Sequence, residues 1–328
     1  MVHYNLDSTW DAGQTEYVFF LRGTDYFDTL PSHTRTDDID TDTFKAEYPL
    51  SKTDYDTERQ YRSIHKCVIN KIGSSNIYTG KSITPAITSV KYNNTALTKN
   101  GDYAVRYSHN VAIGTANVIV EGKGTYIGNA TQTFKILPTK VTEVKASKND
   151  TTKLRLSWSK VNGAEGYRVY RYNTKTKTYD YVKGSQTNKT YIDIKKLSAG
   201  NEYKYKVRAY KNTTQSGMLW GADSAVVTTG TKPSKVTIKN PSKGKKKLTA
   251  KWKKVSAGTG YMIEYSTSKK FTKKTTKTIT ISNRKTESKT IKNLKSKKKY
   301  YVRIRAYKTV GKTKYYGAYS NVKNVTTK

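Results

Sequence analysis

Cysteine is almost absent from this chain, which has one Cys in 328 residues. A single thiol forms neither an intrachain disulfide nor a cysteine-rich metal site, so neither can stabilise the domains. Long apolar runs are also missing: no stretch approaches the length of a membrane span, and no charged-then-apolar leader follows Met1. We therefore expect no transmembrane segment here, and we place any export signal upstream of Met1.

Histidine is scarce and scattered. The chain contains His3, His33, His65 and His109, and no two of them have the spacing of metal ligands, which predicts surface histidines rather than a metal site. The acidic run "DDIDTD" at 37–42 lacks the glycine and bidentate glutamate of a calcium loop, so it predicts an exposed acidic loop. No glycine-rich turn leads into the Lys-Ser/Thr and helix of a phosphate cradle. We expect no metal and no cofactor.

Tyrosine, by contrast, is abundant, with 28 Tyr against 6 Phe and 4 Trp. Together with Thr and Val it favours β-strands, whose half-buried faces suit aromatic and branched side chains. With 34% hydrophobic residues the chain can fill several small cores, and its length suits roughly two to four domains. The composition predicts a mainly β protein of several domains.

Charge is distributed unevenly along the chain. Residues 1–65 hold 6 Lys and Arg against 13 Asp and Glu, a net charge of −7. Residues 233–328 hold 29 against 2, a net charge of +27 within a formal +38 for the whole chain. This asymmetry indicates that the two ends face different partners.

Two segments of the chain repeat. The stretch "LRLSWSKVNGAEGYRVYRY" from Leu154 aligns with "LTAKWKKVSAGTGYMIEYS" from Leu248, and in each a Val follows the Trp by three residues, a Gly by eight and a Tyr by nine. A second pair, "LSAGNEYKYKVRAY" from Leu197 and "LKSKKKYYVRIRAY" from Leu294, also keeps its spacing. The repeat predicts two copies of one domain in the C-terminal two thirds.

Within each copy, apolar and polar residues alternate between turns, which predicts a two-sheet sandwich with Trp158 and Trp252 in the two cores. Tyr203 and Tyr300 each open a strand six residues after a Leu, as in a tyrosine corner, whose hydroxyl returns to nearby backbone. With "VRAY" and "IRAY" on the sixth strand, both copies resemble fibronectin type III domains, at 138–232 and 233–328. The resemblance implies a fold and says little about a ligand.

The preceding segment, 67–137, also has the pattern of a small sandwich. Its strands alternate cleanly, as at Tyr103, Val105 and Tyr107, and "KNGD" and "GKG" supply turn glycines. Its frame, which includes Gly101-Asp102-Tyr103 and Gly124-Thr125-Tyr126, resembles the bacterial Ig-like repeats of Gram-positive surface proteins. Together these resemblances imply the stalk of a secreted or wall-associated bacterial protein, and we expect 58–66 to be a linker.

Residues 1–57 resemble the last part of a bacterial transglutaminase-like (papain-like) domain, through "YNLDSTWDAG", "YVFFLRGTDYF" and "EYP". The resemblance implies an incomplete α+β segment and makes Asp7 the third member of a Cys-His-Asp triad, where it would orient the His. In that family the Cys and His precede the Asp, but only six residues precede Asp7. We therefore expect Asp7 to be vestigial and this chain to be non-catalytic.

The other candidate catalytic residues fit this family poorly. Cys67 follows Asp7, in the wrong order, and its place in "KCVINK" at the start of a strand predicts a small packed side chain. His33 lies in the N-terminal segment but has no thiol to activate there.

Three functional interpretations follow. The first is a non-catalytic stalk or binding portion of an extracellular or cell-wall protein, and the second is a fragment of a cysteine transglutaminase or peptidase whose Cys and His lie upstream. The third is a carbohydrate-binding module with an aromatic platform at Trp220, Tyr315, Tyr316 and Tyr319, although these rings fit core or edge packing better.

The lysines of the last domain fall at turns and outward strand positions. They indicate either a solvated, edge-protecting face or a footprint for an anionic polymer such as teichoic acid. Nucleic acid fits less well, because Lys greatly outnumbers Arg and no nucleic-acid-binding fold accompanies the charge.

Overall fold

The computed structural model describes residues 62–70, 73 and 75–328. The transglutaminase-like segment, with Asp7, His3, His33 and the acidic run at 37–42, lies outside the described residues. The described part consists of β-strands and one short 3-10 helix, Ile64–Lys66, so the expectation of a mainly β fold is confirmed.

The first sandwich comprises residues 62–137. Its strands are β1 (Arg62–Ser63), β2 (Val68–Asn70), β3 (Ser75–Ile77), β4 (Ser89–Tyr92), β5 (Thr95–Ala96), β6 (Tyr103–Ser108), β7 (Gly114–Gly122), β8 (Tyr126–Ile127) and β9 (Asn129–Leu137). One sheet has the order β3-β9-β7-β6, with β3 parallel to β9, and the other has the order β2-β4-β5. Val90 of β4 and Val120 of β7 are fully buried in a shared core, so the two sheets pack face to face.

This sandwich begins within the segment expected to be a linker. Arg62 and Ser63 form β1, which pairs in parallel with β8, and Ile64 is fully buried in the core. The sequence did not reveal this because a single apolar residue among charged neighbours has no period that marks it as part of a strand or helix.

The second sandwich comprises residues 138–232. Its strands are β10 (Lys145–Ser147), β11 (Leu154–Ser157), β12 (Gly166–Asn173), β13 (Thr178–Tyr181), β14 (Tyr191–Ile194), β15 (Glu202–Thr213), β16 (Gly217–Trp220) and β17 (Val227–Gly230). One sheet has the order β10-β11-β14, and the other has the order β13-β12-β15-β16, with β17 also pairing with β15.

The third sandwich comprises residues 233–328. Its strands are β18 (Thr237–Ile238), β19 (Ser242–Gly244), β20 (Lys247–Lys253), β21 (Gly260–Ser266), β22 (Thr276–Ile281), β23 (Ser288–Ile291), β24 (Lys299–Val310), β25 (Thr313–Tyr316) and β26 (Lys323–Thr326). In one sheet β20 pairs with β18, β19 and β23; the other has the order β22-β21-β24-β25, with β26 pairing with β24. The second and third sandwiches therefore share one topology, as the repeat predicts.

The repeated residues occupy equivalent places in the two copies. Trp158 packs edge-on against Tyr167 with ring centroids 5.3 Å apart, and Trp252 packs against Tyr261 at the same distance. The hydroxyl of Tyr203 accepts a hydrogen bond from the backbone N–H of Ser198 at 2.8 Å. The hydroxyl of Tyr300 accepts one from Lys295 N–H at 3.1 Å, so both tyrosine corners are present.

The second and third sandwiches are in direct contact. The hydroxyl of Tyr315, on β25, lies 3.1 Å from Oγ1 of Thr229, on β17, and its ring lies against Gly230. The same two sandwiches also meet at Gly200, which packs so closely against the Ala257 backbone that an added Cβ would lie 2.7 Å from the Ala257 carbonyl oxygen. Backbone-to-backbone packing of this kind leaves little freedom at the junction.

Candidate functional site

The described cysteine and histidines do not form a catalytic group. Cys67 follows the 3-10 helix, is half-buried, and packs with Ile69 against the first core; this burial raises the pKa of its thiol, away from the reactive thiolate. His65 is exposed and lines a shallow surface depression together with Cys67. His109 occupies a turn with φ of 55°. Among the described residues, no three His, Cys, Asp or Glu side chains come together as a metal site.

The aromatic rings considered as a carbohydrate platform do not have free faces. The Trp220 ring is covered by the guanidinium groups of Arg168 and Arg208, at 5.0 and 5.2 Å from its centroid. Tyr316 and Tyr319 stack with Arg305 at 4.1 and 4.4 Å. Tyr315 belongs to the junction with the second sandwich. These rings are therefore used in cation–π stacking and domain packing.

The stack in the third sandwich encloses a carboxylate. Arg303 lies between the rings of Phe271 and Tyr319, at 4.2 and 4.0 Å, and donates from Nε to Oε2 of Glu264 at 2.7 Å. The Tyr319 hydroxyl donates to Oε1 of the same carboxylate. Burial, followed by the Glu264 hydrogen bond, raises the pKa of Tyr319 to about 12. Glu264 is thus neutralised inside the sheet face, with 14% of its side chain exposed.

The lysines of the third sandwich, in contrast, lie in solvent. Those of the "KGKKK", "KKFTKK" and "KSKKK" segments are all exposed. Within the part of the chain that the structure describes, no lysine of 233–328 forms an ion pair with a carboxylate. The positive charge of this sandwich is therefore uncompensated at its surface.

One group of these lysines is ordered by a strand. Lys247, Lys251 and Lys253 on β20 are exposed and alternate with the buried residues of that strand, so their side chains share the outward face of the sheet. We call these three residues the lysine row. Thr249 occupies the remaining outward position between them and hydrogen-bonds Thr290 of β23 at 2.9 Å.

The lysine row lies on an inner strand. Thr249 pairs with Ser242 of β19 and with Thr290 of β23, so β20 has neighbours on both sides. Lysines that protect an open sheet edge belong on an edge strand, and Lys289 on β23 fits that role. Edge protection does not explain lysines on β20.

The equivalent face of the second sandwich has a different chemistry. Arg155 of β11, which aligns with Thr249, donates from Nε and Nη2 to the two oxygens of Asp193, each at 2.7 Å. Arg155 also stacks on Tyr191 at 4.4 Å. The hydrogen bond from Arg155 holds the pKa of Asp193 below its usual range. In the third sandwich Thr249 and Thr290 stand in place of this ion pair, and the charge of the face comes from lysines at other positions of β20.

The sequence places these lysines at turns and on outward strand positions but does not single out the lysine row. The alternation "KLTAKWK" was the available signal, because Leu248, Ala250 and Trp252 are the buried positions between the outward ones. The Thr249–Thr290 contact could not be predicted, since it depends on strand register over a separation of 41 residues.

The sequence-family model of the fibronectin type III domain matches residues 139–221 and 231–322 of the chain. These two stretches coincide with the second and third sandwiches and together make up more than half of the sequence. The chain belongs to the fibronectin type III family. The two copies recognised from the Trp, Val, Gly and Tyr spacing are thus fibronectin type III domains.

Solved structures of fibronectin type III proteins resemble the chain. A two-domain segment from chicken tenascin is 15% identical, covers 58% of this chain and 98% of its own length, and has a TM-score of 0.36. The chicken CNTN1 FN1–FN3 domains are 17% identical, cover 66% of this chain and 79% of their own, and have a TM-score of 0.32. A search of curated protein sequences found no significant match.

Fibronectin type III domains are generally non-catalytic stalk or binding modules and are typical of extracellular and surface proteins. Within the residues that the structure describes, no helix has the length and apolar character needed to cross a bilayer.

Proposed function

We propose that this chain is the non-catalytic stalk and binding portion of a secreted or cell-wall-associated bacterial surface protein, and that its third sandwich binds anionic wall polymer. The observation that carries this proposal is the surface of the third sandwich. It has 29 Lys and Arg against 2 Asp and Glu, and the better buried of these two acids, Glu264, is already bonded to Arg303.

The arrangement of the domains supports a stalk. The contacts of Tyr315 with Thr229 and of Gly200 with Ala257 join consecutive fibronectin type III domains without a long flexible linker. A chain of packed sandwiches holds its terminal module away from its point of attachment, where a polymer can reach it. The resemblance of 67–137 to Ig-like repeats remains a prediction and fits the same role.

The alternatives have less support. A carbohydrate platform needs exposed aromatic faces, whereas Trp220 and Tyr319 stack with arginines. The transglutaminase-like alternative concerns Asp7, outside the described residues, and remains a prediction.

The test is co-sedimentation of the full chain with insoluble cell wall that bears anionic polymer. Contacts between exposed lysines and phosphates release counterions, so binding should fall steeply between about 50 mM and about 200 mM salt. Wall stripped of its anionic polymer is the control. Binding that is equal on stripped wall, or that does not respond to salt, would contradict the proposal.

A further inference from the structure

We infer that the lysine row is the surface that binds the anionic wall polymer, and that it fits a flexible linear phosphodiester polymer without bases, such as a poly(glycerol phosphate). The inference rests on the proposed function and adds to it a defined surface and a defined class of partner. The alternative is binding by the overall positive charge of the domain.

The lysines of the row lie in line along one strand. Outward residues two apart on a strand lie about 6.8 Å from each other, which is the separation of Lys251 from Lys253. Lys247 and Lys251 are four residues apart, so they are separated by about twice that distance. A straight row of cations suits an extended chain that presents anionic groups at regular intervals. Lys239 extends this positive surface sideways, because its N–H donates to the Lys251 carbonyl at 2.8 Å and its side chain is exposed.

The residues that surround the lysine row also suit phosphate. Hydroxyl residues stand opposite much of the row on neighbouring strands: Thr237 opposite Lys253, Ser288 opposite Lys251, and Ser242 and Thr290 opposite Thr249, whereas Lys247 is opposite Gly244. Hydroxyl groups donate hydrogen bonds to phosphate oxygens and add no competing negative charge. The nearest acid in sequence, Glu287, stands one position before Ser288, opposite the inward-facing Trp252, and so on the other side of the strand.

Among the described residues, no carboxylate forms an ion pair with a lysine of the row. Like charges on one sheet face repel each other, and this repulsion destabilises the folded domain unless an oppositely charged partner binds. The second sandwich has no such row, because Ser157 and Ser159 align with Lys251 and Lys253, and its outward Arg155 is bonded to Asp193. In the third, lysines occupy the positions of Ser157 and Ser159, and no carboxylate is added to balance them, so an anionic partner would relieve their repulsion.

The face also indicates which polyanion it fits. Single-stranded nucleic acid binds proteins largely by stacking its bases on aromatic rings. The outward positions on and around β20 carry Lys, Thr and Ser, and no aromatic residue. Lysine is a point charge that suits phosphate without selecting a planar arrangement. A phosphodiester chain without bases meets these requirements.

The experiment compares two triple variants of the full chain that remove the same charge. Lys247→Gln/Lys251→Gln/Lys253→Gln removes the row, and Lys269→Gln/Lys270→Gln/Lys273→Gln removes three exposed lysines between β21 and β22, in the other sheet. Affinity for fluorescent poly(glycerol phosphate) is measured against salt. Each lost phosphate contact lowers the slope of log K against log salt by about 0.7, so the row variant should lose about 2 units of slope and at least about tenfold in affinity. The control should lose less than about threefold.

Each other result has a distinct meaning. Equal losses in the two triple variants would overturn the lysine row and leave binding by net charge. No binding by the parent chain would overturn the proposed function as well. Tighter binding of an oligothymidylate of equal charge would overturn the assignment of the partner. Melting curves check folding, and the single variants Lys251→Gln and Lys253→Gln replace the row variant if it does not fold.

Discussion

The hydroxyl of Tyr167 accepts a hydrogen bond from the backbone N–H of Val161 at 2.8 Å, and Tyr261 accepts the equivalent bond from Val255 at 3.1 Å. In both copies the donor belongs to the turn that follows the core Trp, and both N–H groups are buried. The conserved separation of six residues between Val and Tyr within the repeat therefore has a physical cause: the tyrosine satisfies a backbone donor that the turn leaves unpaired.

Replacing either tyrosine by Phe keeps the ring but leaves this buried N–H without a partner. The free energy of unfolding of the affected domain should fall by about 1–3 kcal/mol, measured by urea denaturation. Tyr261→Phe should cost more than Tyr167→Phe, because the Tyr261 hydroxyl also donates to the Arg284 carbonyl at 2.9 Å. Tyr191→Phe is the control, since Tyr191 is 39% exposed, and should change stability by less than about 0.5 kcal/mol. Losses no larger than this control's would contradict the role of the hydroxyl.

The repeated glycine is fixed by space rather than by its backbone angles. An added Cβ at Gly260 would lie 2.0 Å from the Ile281 carbonyl oxygen, and at Gly166 it would lie 2.8 Å from that of Thr187. Gly260→Ala should therefore destabilise its domain by at least about 3 kcal/mol, and Gly166→Ala by a smaller amount, as thermal unfolding would show. Gly114→Ala, where nothing lies within 4 Å of the added Cβ, should be close to neutral. A larger destabilisation by Gly166→Ala than by Gly260→Ala would refute this account.

The cores could be predicted from the sequence because their signals are local. Trp158 and Trp252 stand in alternating apolar patterns with turn residues on both sides, and both are buried as expected. The tyrosine corners were predictable for the same reason, since each hydroxyl bonds backbone only five residues away.

Contacts between distant parts of the chain were beyond this kind of prediction. The sequence offers Tyr315 either for core or edge packing or for an exposed platform, whereas its hydroxyl contacts Thr229, 86 residues earlier, in another domain. Periodicity describes which face of a strand is buried but not which domain covers it. The cation–π stack around Glu264 and Arg303 likewise depends on the pairing of β21 with β24, which no local pattern specifies.

The junction between the two fibronectin type III domains should depend on Tyr315. Tyr315→Ala removes both the bond to Thr229 and the ring that covers Gly230, so the distribution of distances between spin labels on the two domains should broaden. Tyr316→Ala is a matched control, because it removes the adjacent ring of the same hairpin, which packs on Tyr307 within its own domain. Equal broadening in the two variants would show that Tyr315 does not hold the junction.

The burial of Tyr319, together with its hydrogen bond to Glu264, should make the third sandwich sensitive to alkaline pH. The pKa of Tyr319 is raised to about 12 in the folded chain, against an ordinary value of about 10. A raised pKa means that the stabilising contribution is fully present below about pH 10 and is lost as the pH rises through about 12. Because Tyr319 is partly exposed and solvent screens its interactions, we expect this contribution to be about 1 kcal/mol.

Lysines titrate in the same range, so the informative quantity is the difference in unfolding free energy between the parent chain and Tyr319→Phe. Both proteins carry the same lysines, and subtracting one stability curve from the other removes their contribution. The parent chain should be the more stable below about pH 10, and its advantage should shrink towards about pH 12 as the phenol of the unfolded chain ionises first. Urea denaturation at a series of pH values measures this difference. A difference that stays constant or grows over that range would show that the neutral Tyr319 hydroxyl does not stabilise the folded domain through Glu264.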